Sequence, residues 1–153
     1  MISEGKKAPA ISLPDSENKK RSLKEFLGKK IVVYFYPKDN TSGCTAEACD
    51  FRDAFPKFQK DDCVVLGISP DSVNSHKKFK EKFDLPFILL SDEDKKVLQK
   101  YDVWKEKSMY GRKYMGVVRT TIIVDEKGII RKIYPKVKVN GHVKQVSKDL
   151  KEI

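Results

Sequence analysis

The fold is decided by residues 31–49, which have the sequence Ile31-Val-Val-Tyr-Phe-Tyr-Pro-Lys-Asp-Asn-Thr-Ser-Gly-Cys-Thr-Ala-Glu-Ala-Cys49. The first part, Ile31 to Tyr36, is β-branched or aromatic throughout, which is typical of a buried β-strand. Pro37 to Gly43 is rich in turn-forming residues and predicts a loop. A helix is predicted from Cys44, so the stretch has the order strand, loop, helix.

Strands and helices alternate on both sides of this stretch. Before it, Ser22-Leu-Lys-Glu25 is a capping box that predicts a short helix closed by Gly28. The helix from Cys44 is expected to end or kink at Pro56, because the residue before a proline avoids helical geometry. Further strands are predicted at 63–68, 86–90, 120–124 and 129–134, and further helices begin near 72, lie around 97–101 and close the chain over 143–153.

The order of these elements predicts the class of fold. Strands that alternate with helices, followed by a late hairpin turning at Asp125-Glu-Lys-Gly128, give an α/β sandwich with a mixed central sheet flanked by helices. This is the ground plan of a thioredoxin-like fold. No internal repeat, low-complexity tract or Gly/Ser linker interrupts the sequence, so a single domain over residues 1–153 is expected.

The composition limits the location and the partners of the chain. Its 153 residues can bury a core without disulfides. It lacks an apolar stretch of the length that a membrane span or a secretory signal needs, so we expect a cytoplasmic protein with no membrane partner. The net charge of +10 comes largely from dispersed lysine pairs such as Lys77-Lys78, which are typical of a solvated surface. The sequence has no dense basic arm with interleaved aromatic residues, so we expect no nucleic-acid partner.

The residues around Cys44 favour a reactive thiolate. A cysteine is a nucleophile only as the thiolate, and the free N–H groups and dipole of a helix's first turn stabilise that anion. Gly43 lets backbone amides approach a small oxygen ligand, and Thr41 can place a hydroxyl beside the sulfur. Pro37 caps the strand and shields the pocket. Each residue alone is ordinary in a turn, but Pro-x-x-x-Thr-x-x-Cys between a buried strand and a helix is a much rarer combination.

This combination resembles the active-site motif of the peroxiredoxins, with Pro37, Thr41 and Cys44 as its members. The longer string Gly43-Cys-Thr-Ala-Glu-Ala-Cys-Asp-Phe-Arg-Asp53 is similar to the bacterioferritin-comigratory, or Q-type, subfamily. The resemblance covers nearly the whole chain and includes Ala8-Pro9, Gly67-Ile-Ser-Pro-Asp71, Tyr101-Asp-Val-Trp104 and Arg119.

The resemblance implies a thiol peroxidase that uses no cofactor and no metal. Cys44 is the expected peroxidatic residue, whose thiolate attacks the terminal oxygen of hydrogen peroxide or an organic hydroperoxide and becomes a sulfenic acid. Thr41 and the Cys44 backbone N–H are expected to hold the peroxide oxygens, with Pro37 and Gly43 contributing to substrate binding. A thioredoxin-class reductant and a monomeric state are implied by the resemblance alone.

Arg119 is the arginine that the resemblance assigns to this site. It lies within Val117-Val-Arg-Thr-Thr-Ile-Ile123, at the mouth of a strand whose flanks are β-branched and apolar. An arginine in such surroundings needs a charge partner or strong hydrogen bonding. It is expected to favour the Cys44 thiolate and to stabilise the charge that develops on the leaving oxygen.

The other two cysteines have different expected roles. Cys49 lies five positions after Cys44, which on a regular helix separates the Cα atoms by about 8–9 Å, whereas a disulfide needs about 4.4–6.8 Å. The redox disulfide Cys44–Cys49 that the resemblance implies therefore requires the first turns of the helix to unwind. Burial as a small hydrophobe is the alternative role for Cys49. Cys63 begins an apolar strand and is expected in the core.

Four other functions compete with this one. A thioredoxin-type thiol-disulfide oxidoreductase would have Cys-x-x-Cys, where this chain has Cys-x-x-x-x-Cys, and a proline in place of Thr120. A metal site drawn from the three cysteines and His76 matches no familiar ligand spacing. A Cys–His hydrolase needs a positioned histidine, and both His76 and His142 fall in lysine-containing segments where surface placement is expected. A basic nucleic-acid-binding or holdase protein rests on net charge alone, and the salt dependence of DNA binding would test it.

Overall fold

The computed structural model describes residues 2–153. The elements follow in chain order: β1 (Ser12–Pro14), β2 (Lys20–Ser22), a 3₁₀ turn (Leu23–Phe26), β3 (Lys30–Phe35), α1 (Ser42–Lys60), β4 (Cys63–Ser69), α2 (Val73–Phe83), β5 (Ile88–Ser91), α3 (Lys96–Lys100), β6 (Trp104–Met109), β7 (Arg112–Val117), β8 (Thr120–Val124), β9 (Ile130–Tyr134) and α4 (His142–Leu150). Among these residues, none of the helices combines the length and the apolar character that crossing a bilayer requires.

The central sheet has five strands in the order β5-β4-β3-β8-β9. β3, β4 and β5 are parallel neighbours, and β8 and β9 are added antiparallel on the other side of β3. The predicted mixed sheet flanked by helices is therefore confirmed, and it is the sheet of a thioredoxin-like fold. The strands predicted around 31–36, 63–68, 86–90, 120–124 and 129–134 are the five strands of this sheet, each shifted by at most a few residues.

The sheet separates two apolar cores, because successive side chains of a strand point to opposite faces. Ile31 and Phe35 of β3 contribute to one core, which α3 and the N-terminal segment cover. Val32 and Tyr34 contribute to the other core, which α1, α2 and α4 cover. The central strand is thus buried on both faces, as its unbroken apolar sequence predicts.

The helix α1 runs past the proline that was expected to end or kink it. Pro56 lies inside the helix, which ends only at Lys60. A proline in a helix interior removes one hydrogen bond and costs about 3 kcal/mol. Phe51 and Phe58, on either side of it, are fully buried with ring centroids 5.8 Å apart, and burying each phenyl ring contributes about 1.5–3 kcal/mol. Packing of this face outweighs the lost hydrogen bond, so of the two outcomes expected at Pro56, an end and a kink, the end is wrong.

Two hairpins were not predicted from the sequence. β1 and β2 are only three residues long. β6 and β7 are mostly exposed and so lack the apolar alternation that marks a half-buried strand. Their turn is set instead by Tyr110 and Gly111, both with positive φ, which is the backbone that a two-residue type I′ hairpin requires.

The sheet topology brings three distant segments together. Phe35, the last residue of β3, pairs with Thr120, the first residue of β8. Arg119, which precedes Thr120, therefore lies at the edge of the sheet where β3 ends. The loop after β3 leads into α1 at the same edge, so the start of α1 and Arg119 are close in space.

Candidate active site

Cys44 is the third residue of α1 and is almost fully buried. Thr41 precedes the helix with extended backbone angles, and its carbonyl accepts the first helical hydrogen bond, from the amide of Thr45 at 2.8 Å. The amides of Ser42, Gly43 and Cys44 thus have no acceptor within the helix. They give the sulfur the surroundings of free N–H groups and positive helix dipole that were expected of it.

Arg119 joins the sulfur to a buried carboxylate. Its Nη2 donates to Cys44 Sγ at 3.2 Å and its Nη1 donates to Glu47 Oε1 at 2.6 Å. A Cβ atom at Gly43 would lie 3.3 Å from Nη2, so the glycine leaves the guanidinium its place beside the sulfur. Arg119 therefore has the charge partner that its apolar flanks required, and the planar fork of an arginine can serve both groups at once.

Glu47 is the member of this site that the sequence reasoning missed. Its side chain is fully buried, and Oε2 accepts no hydrogen bond from residues 2–153. Burial raises the pKa of Glu47 to about 7, against the lowering effect of the Arg119 charge. The spacing offered a signal, since a residue three positions after Cys44 shares its face of the helix, and an acid on a face that also carries Ala48 and Phe51 needs a cation.

Thr41 and Pro37 lie in the loop between β3 and α1. The Thr41 side chain is exposed, and its hydroxyl donates to the carbonyl of Lys38 at 3.0 Å. Pro37 follows the buried Tyr36 directly and is partly buried. Both residues border the start of α1, where a ligand of the first-turn amides would sit.

Lys107 of β6 is a second cation near the sulfur. Its Nζ donates to the carbonyl of Val117 at 2.7 Å, a bond between the two strands of the hairpin, two residues before Arg119. Burial lowers the pKa of Lys107, and repulsion from Arg119 lowers it further, while the Cys44 charge acts in the opposite direction. The electrostatic surroundings of Cys44 thus include two basic side chains.

The remaining cysteines lie where their sequence positions indicated. All three thiols are free, and the intact helix α1 carries both Cys44 and Cys49, the latter partly buried. Cys63 begins β4 and is 5% exposed. Burial raises the pKa of the Cys63 thiol to about 12, which leaves it un-ionised at neutral pH. Its assignment to the core is confirmed.

The expectation that both histidines lie on the surface is wrong. His76 has no exposed surface and His142 is 8% exposed. His76 shares the inward face of α2 with Phe79, three positions later, and this position outweighs the lysines that follow it in the sequence. His142 begins α4 and lies 2.8 Å from the Thr121 hydroxyl through Nε2. Burial, and then repulsion from Arg119, lowers the pKa of His142 to about 4, so it is neutral at physiological pH.

Comparison with known proteins shows the family to which this chain belongs. Residues 4–133 match the AhpC/TSA family. The putative peroxiredoxin bcp of Coxiella burnetii is 52% identical over 145 residues, which cover 95% of this chain and 96% of that protein. Peroxiredoxin Bcp of Bacillus subtilis is 47% identical over 152 residues, 99% of this chain and 97% of that one. The chain belongs to the AhpC/TSA family, as a peroxiredoxin of the Bcp type.

Solved peroxiredoxins of this type have the same fold. The bacterioferritin comigratory protein of Xanthomonas campestris, whose structures concern its alkyl peroxide reduction activity, has a TM-score of 0.89 and 39% identity, covering 93% of this chain and 90% of that one. Structures of the X. campestris peroxiredoxin Q include two variants, each with a serine in place of a different cysteine. Those two cysteines are much further apart in sequence than Cys44 and Cys49 are here. The resemblance read from the motif is confirmed, and with it the function of a thiol peroxidase.

Proposed function

We propose that this peroxiredoxin reduces hydrogen peroxide and organic hydroperoxides with Cys44 and then forms a Cys44–Cys49 disulfide. The observation that carries the proposal is the contact of Arg119 with Cys44 Sγ, within the first turn of α1. The X. campestris relative's alkyl peroxide reduction supports an organic hydroperoxide as substrate. A single domain, a monomer, a cytoplasmic location and a thioredoxin-class donor complete the proposal.

The chemistry of the first step follows from the charges around the sulfur. The Cys44 thiolate forms a bond to the terminal peroxide oxygen, the O–O bond breaks, and the other oxygen leaves as an alkoxide or hydroxide that takes up a proton. Arg119 lies where negative charge passes from sulfur to that leaving oxygen, so it can stabilise the charge throughout the step. The amides of the first turn, Thr41 and the space left by Gly43 would hold the peroxide in line.

The second step requires a change in α1. The Cys49 thiol attacks the sulfenic sulfur of Cys44, a disulfide forms and water leaves. In the intact helix the two Cα atoms are about 8–9 Å apart, beyond the span of a disulfide. The first turns must therefore unwind, and they are suited to it because three of their amides make no helical hydrogen bond. Phe51 and Phe58 are fully buried further along α1, so the rest of the helix stays docked.

The mass of the intact protein after one equivalent of hydrogen peroxide tests the proposal. The wild-type chain is expected to lose two hydrogens, with the disulfide located between Cys44 and Cys49 by peptide mapping. The Cys49→Ser variant is expected to gain one oxygen as a trappable sulfenic acid, which further peroxide drives to sulfinic acid. A wild-type chain that gains oxygen instead would make the protein a one-cysteine peroxidase resolved by an external thiol.

Amide exchange tests the unwinding. In the oxidised wild-type protein, residues 43–50 should lose protection, while β3 should stay protected, because only the helix start must open to close the disulfide. The oxidised Cys49→Ser variant is the matched control and should keep its protection. Full protection of residues 43–50 in a mapped Cys44–Cys49 disulfide would contradict the helical geometry on which this step rests.

The buried carboxyl of Glu47 predicts that unwinding depends on pH. Its pKa is about 7 in the folded helix, and an exposed, unwound segment would return it toward the ordinary 4.5. Between these values the folded helix holds a proton that the unwound one has released, so a rising pH favours unwinding until about pH 7 and has no further effect above it. Arg119 and Asp50 are the charged neighbours that act on this carboxyl.

The measurement uses Cys44→Ser, in which ionisation of the Cys44 thiol cannot contribute. Between about pH 5 and pH 7.5 the opening equilibrium of residues 43–47, corrected for intrinsic exchange, should rise on the order of 10²-fold. Adding Glu47→Gln should abolish this dependence, since the amide can still accept from Arg119 but cannot titrate. A pH dependence that survives in Glu47→Gln would assign it to another group.

A further inference from the structure

A buried hydrogen-bonded cluster lies behind the loop that leads into α1. Its centre is Asp39, 7% exposed, in the loop between β3 and α1. Asp39 Oδ1 accepts from the Tyr36 hydroxyl at 2.6 Å, and Oδ2 accepts from the Ser75 hydroxyl at 2.8 Å. His76 Nδ1 lies 2.7 Å from the same Oδ2. Tyr36, directly after β3, and two residues of α2 thus converge on one carboxylate of the loop.

The contacts of His76 determine where its protons lie. Nε2 is 3.0 Å from the carbonyl oxygen of Leu90, which can only accept, so Nε2 carries a hydrogen. Nδ1 faces Asp39 Oδ2 at hydrogen-bond distance, so a second proton lies between these two atoms. The Asp39–His76 pair is therefore joined by a proton, and the Leu90 carbonyl holds the imidazole at its other nitrogen. Without that proton a buried carboxylate would face a nitrogen lone pair.

The backbone of the loop is fixed at the same residue. The amide of Asp39 donates to Asp71 Oδ2 at 2.8 Å, and that oxygen also accepts from the Ser69 hydroxyl at 2.6 Å. Asn40 follows with a left-handed φ of 61°, and Thr41 then precedes the helix in extended conformation. The direction in which Thr41 faces is therefore set from Asp39.

We propose that Asp39 and His76 are positioning residues of the peroxidase site. The pair holds residues 37–41 so that the Thr41 hydroxyl is aligned with the peroxide before it reaches the Cys44 thiolate. The pair acts on the alignment of the peroxide and not on the thiolate. The thiolate is stabilised by Arg119 and the helix dipole, neither of which contacts the pair. The proposal rests on the proposed role of Cys44.

The cluster is hydrogen-bonded in a way that requires no metal. Among residues 2–153, Asp39, Asp71 and His76 form the only group of three potential ligands, with donor atoms within 4.8 Å of one another. Their side-chain atoms are already hydrogen-bonded: Asp39 accepts from Tyr36, Asp71 accepts from the Asp39 amide, and His76 Nδ1 is bonded to Asp39. Proton sharing accounts for the burial of both side chains of the pair, since a buried charge is tolerated when it is paired and hydrogen-bonded.

The test compares two reactions of the same sulfur in a Cys49→Ser background, which isolates the first step. One is the rate of sulfenic acid formation with hydrogen peroxide, followed by rapid quenching and intact mass. The other is the rate of Cys44 alkylation by iodoacetamide at the same pH. In Asp39→Ala the peroxide rate should fall about 10–10²-fold, the effect of misplacing binding groups by about 1 Å, while alkylation stays near its original rate. His76→Leu leaves Asp39 its Tyr36 and Ser75 donors and should show the same fall in peroxide rate with alkylation unchanged. It replaces Asp39→Ala in the test if that variant does not fold.

Asp39→Asn is the conservative variant. Its amide can donate to Nδ1 of a neutral His76 while its oxygen accepts from Tyr36, so it should restore most of the rate lost in Asp39→Ala. Peroxide and alkylation rates that fall together, an Asp39→Asn variant as slow as Asp39→Ala, or a wild-type rate that drops after chelation of metals would each overturn the proposal. A background protein that never oxidises at Cys44 would instead overturn the proposed function.

Discussion

Cys44→Ser should abolish peroxide consumption, with a loss of more than about 10⁴-fold, because it removes the nucleophile on which every later step depends. Serine at this position is nearly isosteric, and its hydroxyl can still accept from Arg119, so the fold and the start of α1 should be retained. The measurement is peroxide consumption with a thiol reductant in excess, together with a thermal unfolding curve that reports any loss of structure.

Cys63→Ser is the matched control, since it makes the same chemical change at a cysteine that is buried in the core. It should destabilise the fold by about 1–3 kcal/mol, because a hydroxyl is placed in an apolar strand, and leave peroxide consumption near that of wild type. The contrast follows from the surroundings of the two thiols: Cys44 has a cation at 3.2 Å, whereas burial keeps Cys63 un-ionised. Equal losses of activity in the two variants would contradict both assignments.

The sequence predicted the sheet and the start of α1 because local and global signals agree there. Ile31 to Tyr36 is buried on both faces, and a strand of that kind is apolar at every position. Thr41 lies directly before α1 and Gly43 in its first turn, and the apolar positions of the helix recur at helical spacing. The position of Arg119 beside the sulfur was indicated by resemblance, and the pairing of Phe35 with Thr120 gives its physical reason.

The missed features depend on contacts between distant residues. Helix α1 continues through Pro56 because Phe51 and Phe58 pack into the core, and no local signal at a proline reports this. The burial of His76 and of Glu47 is likewise decided by partners far along the chain, the Leu90 carbonyl and Arg119. A polar residue on an apolar helix face is where sequence reasoning errs, because surface exposure and a satisfied buried partner give the same local pattern.

Arg119→Met should slow oxidation of Cys44 by peroxide by about 10²–10³-fold, the loss expected when one donor to a developing negative charge is removed. Methionine has a similar length and no charge, so packing at the start of β8 should be kept. Arg119→Lys should recover only part of the rate, because one ammonium cannot serve Cys44 and Glu47 with the paired geometry of a guanidinium. The rates of sulfenic acid formation and of thiol alkylation are measured from about pH 5 to pH 9. Together they report the loss of leaving-group stabilisation and the lower fraction of Cys44 present as thiolate.

The double variant Arg119→Met/Glu47→Gln separates two causes of this loss. In the single variant Glu47 remains buried without its cation, which raises its pKa further, and the fraction that ionises toward pH 9 would itself disfavour the thiolate. If Arg119 acts directly on the sulfur and the leaving oxygen, the double variant should stay about as slow as Arg119→Met. If the unpaired carboxylate causes the loss, neutralising it should restore the rate, and the direct role of Arg119 would be refuted. His142 provides an independent check, because its pKa should rise above about 4 in both variants once repulsion from Arg119 is gone, while burial still holds it below its ordinary value of 6.5.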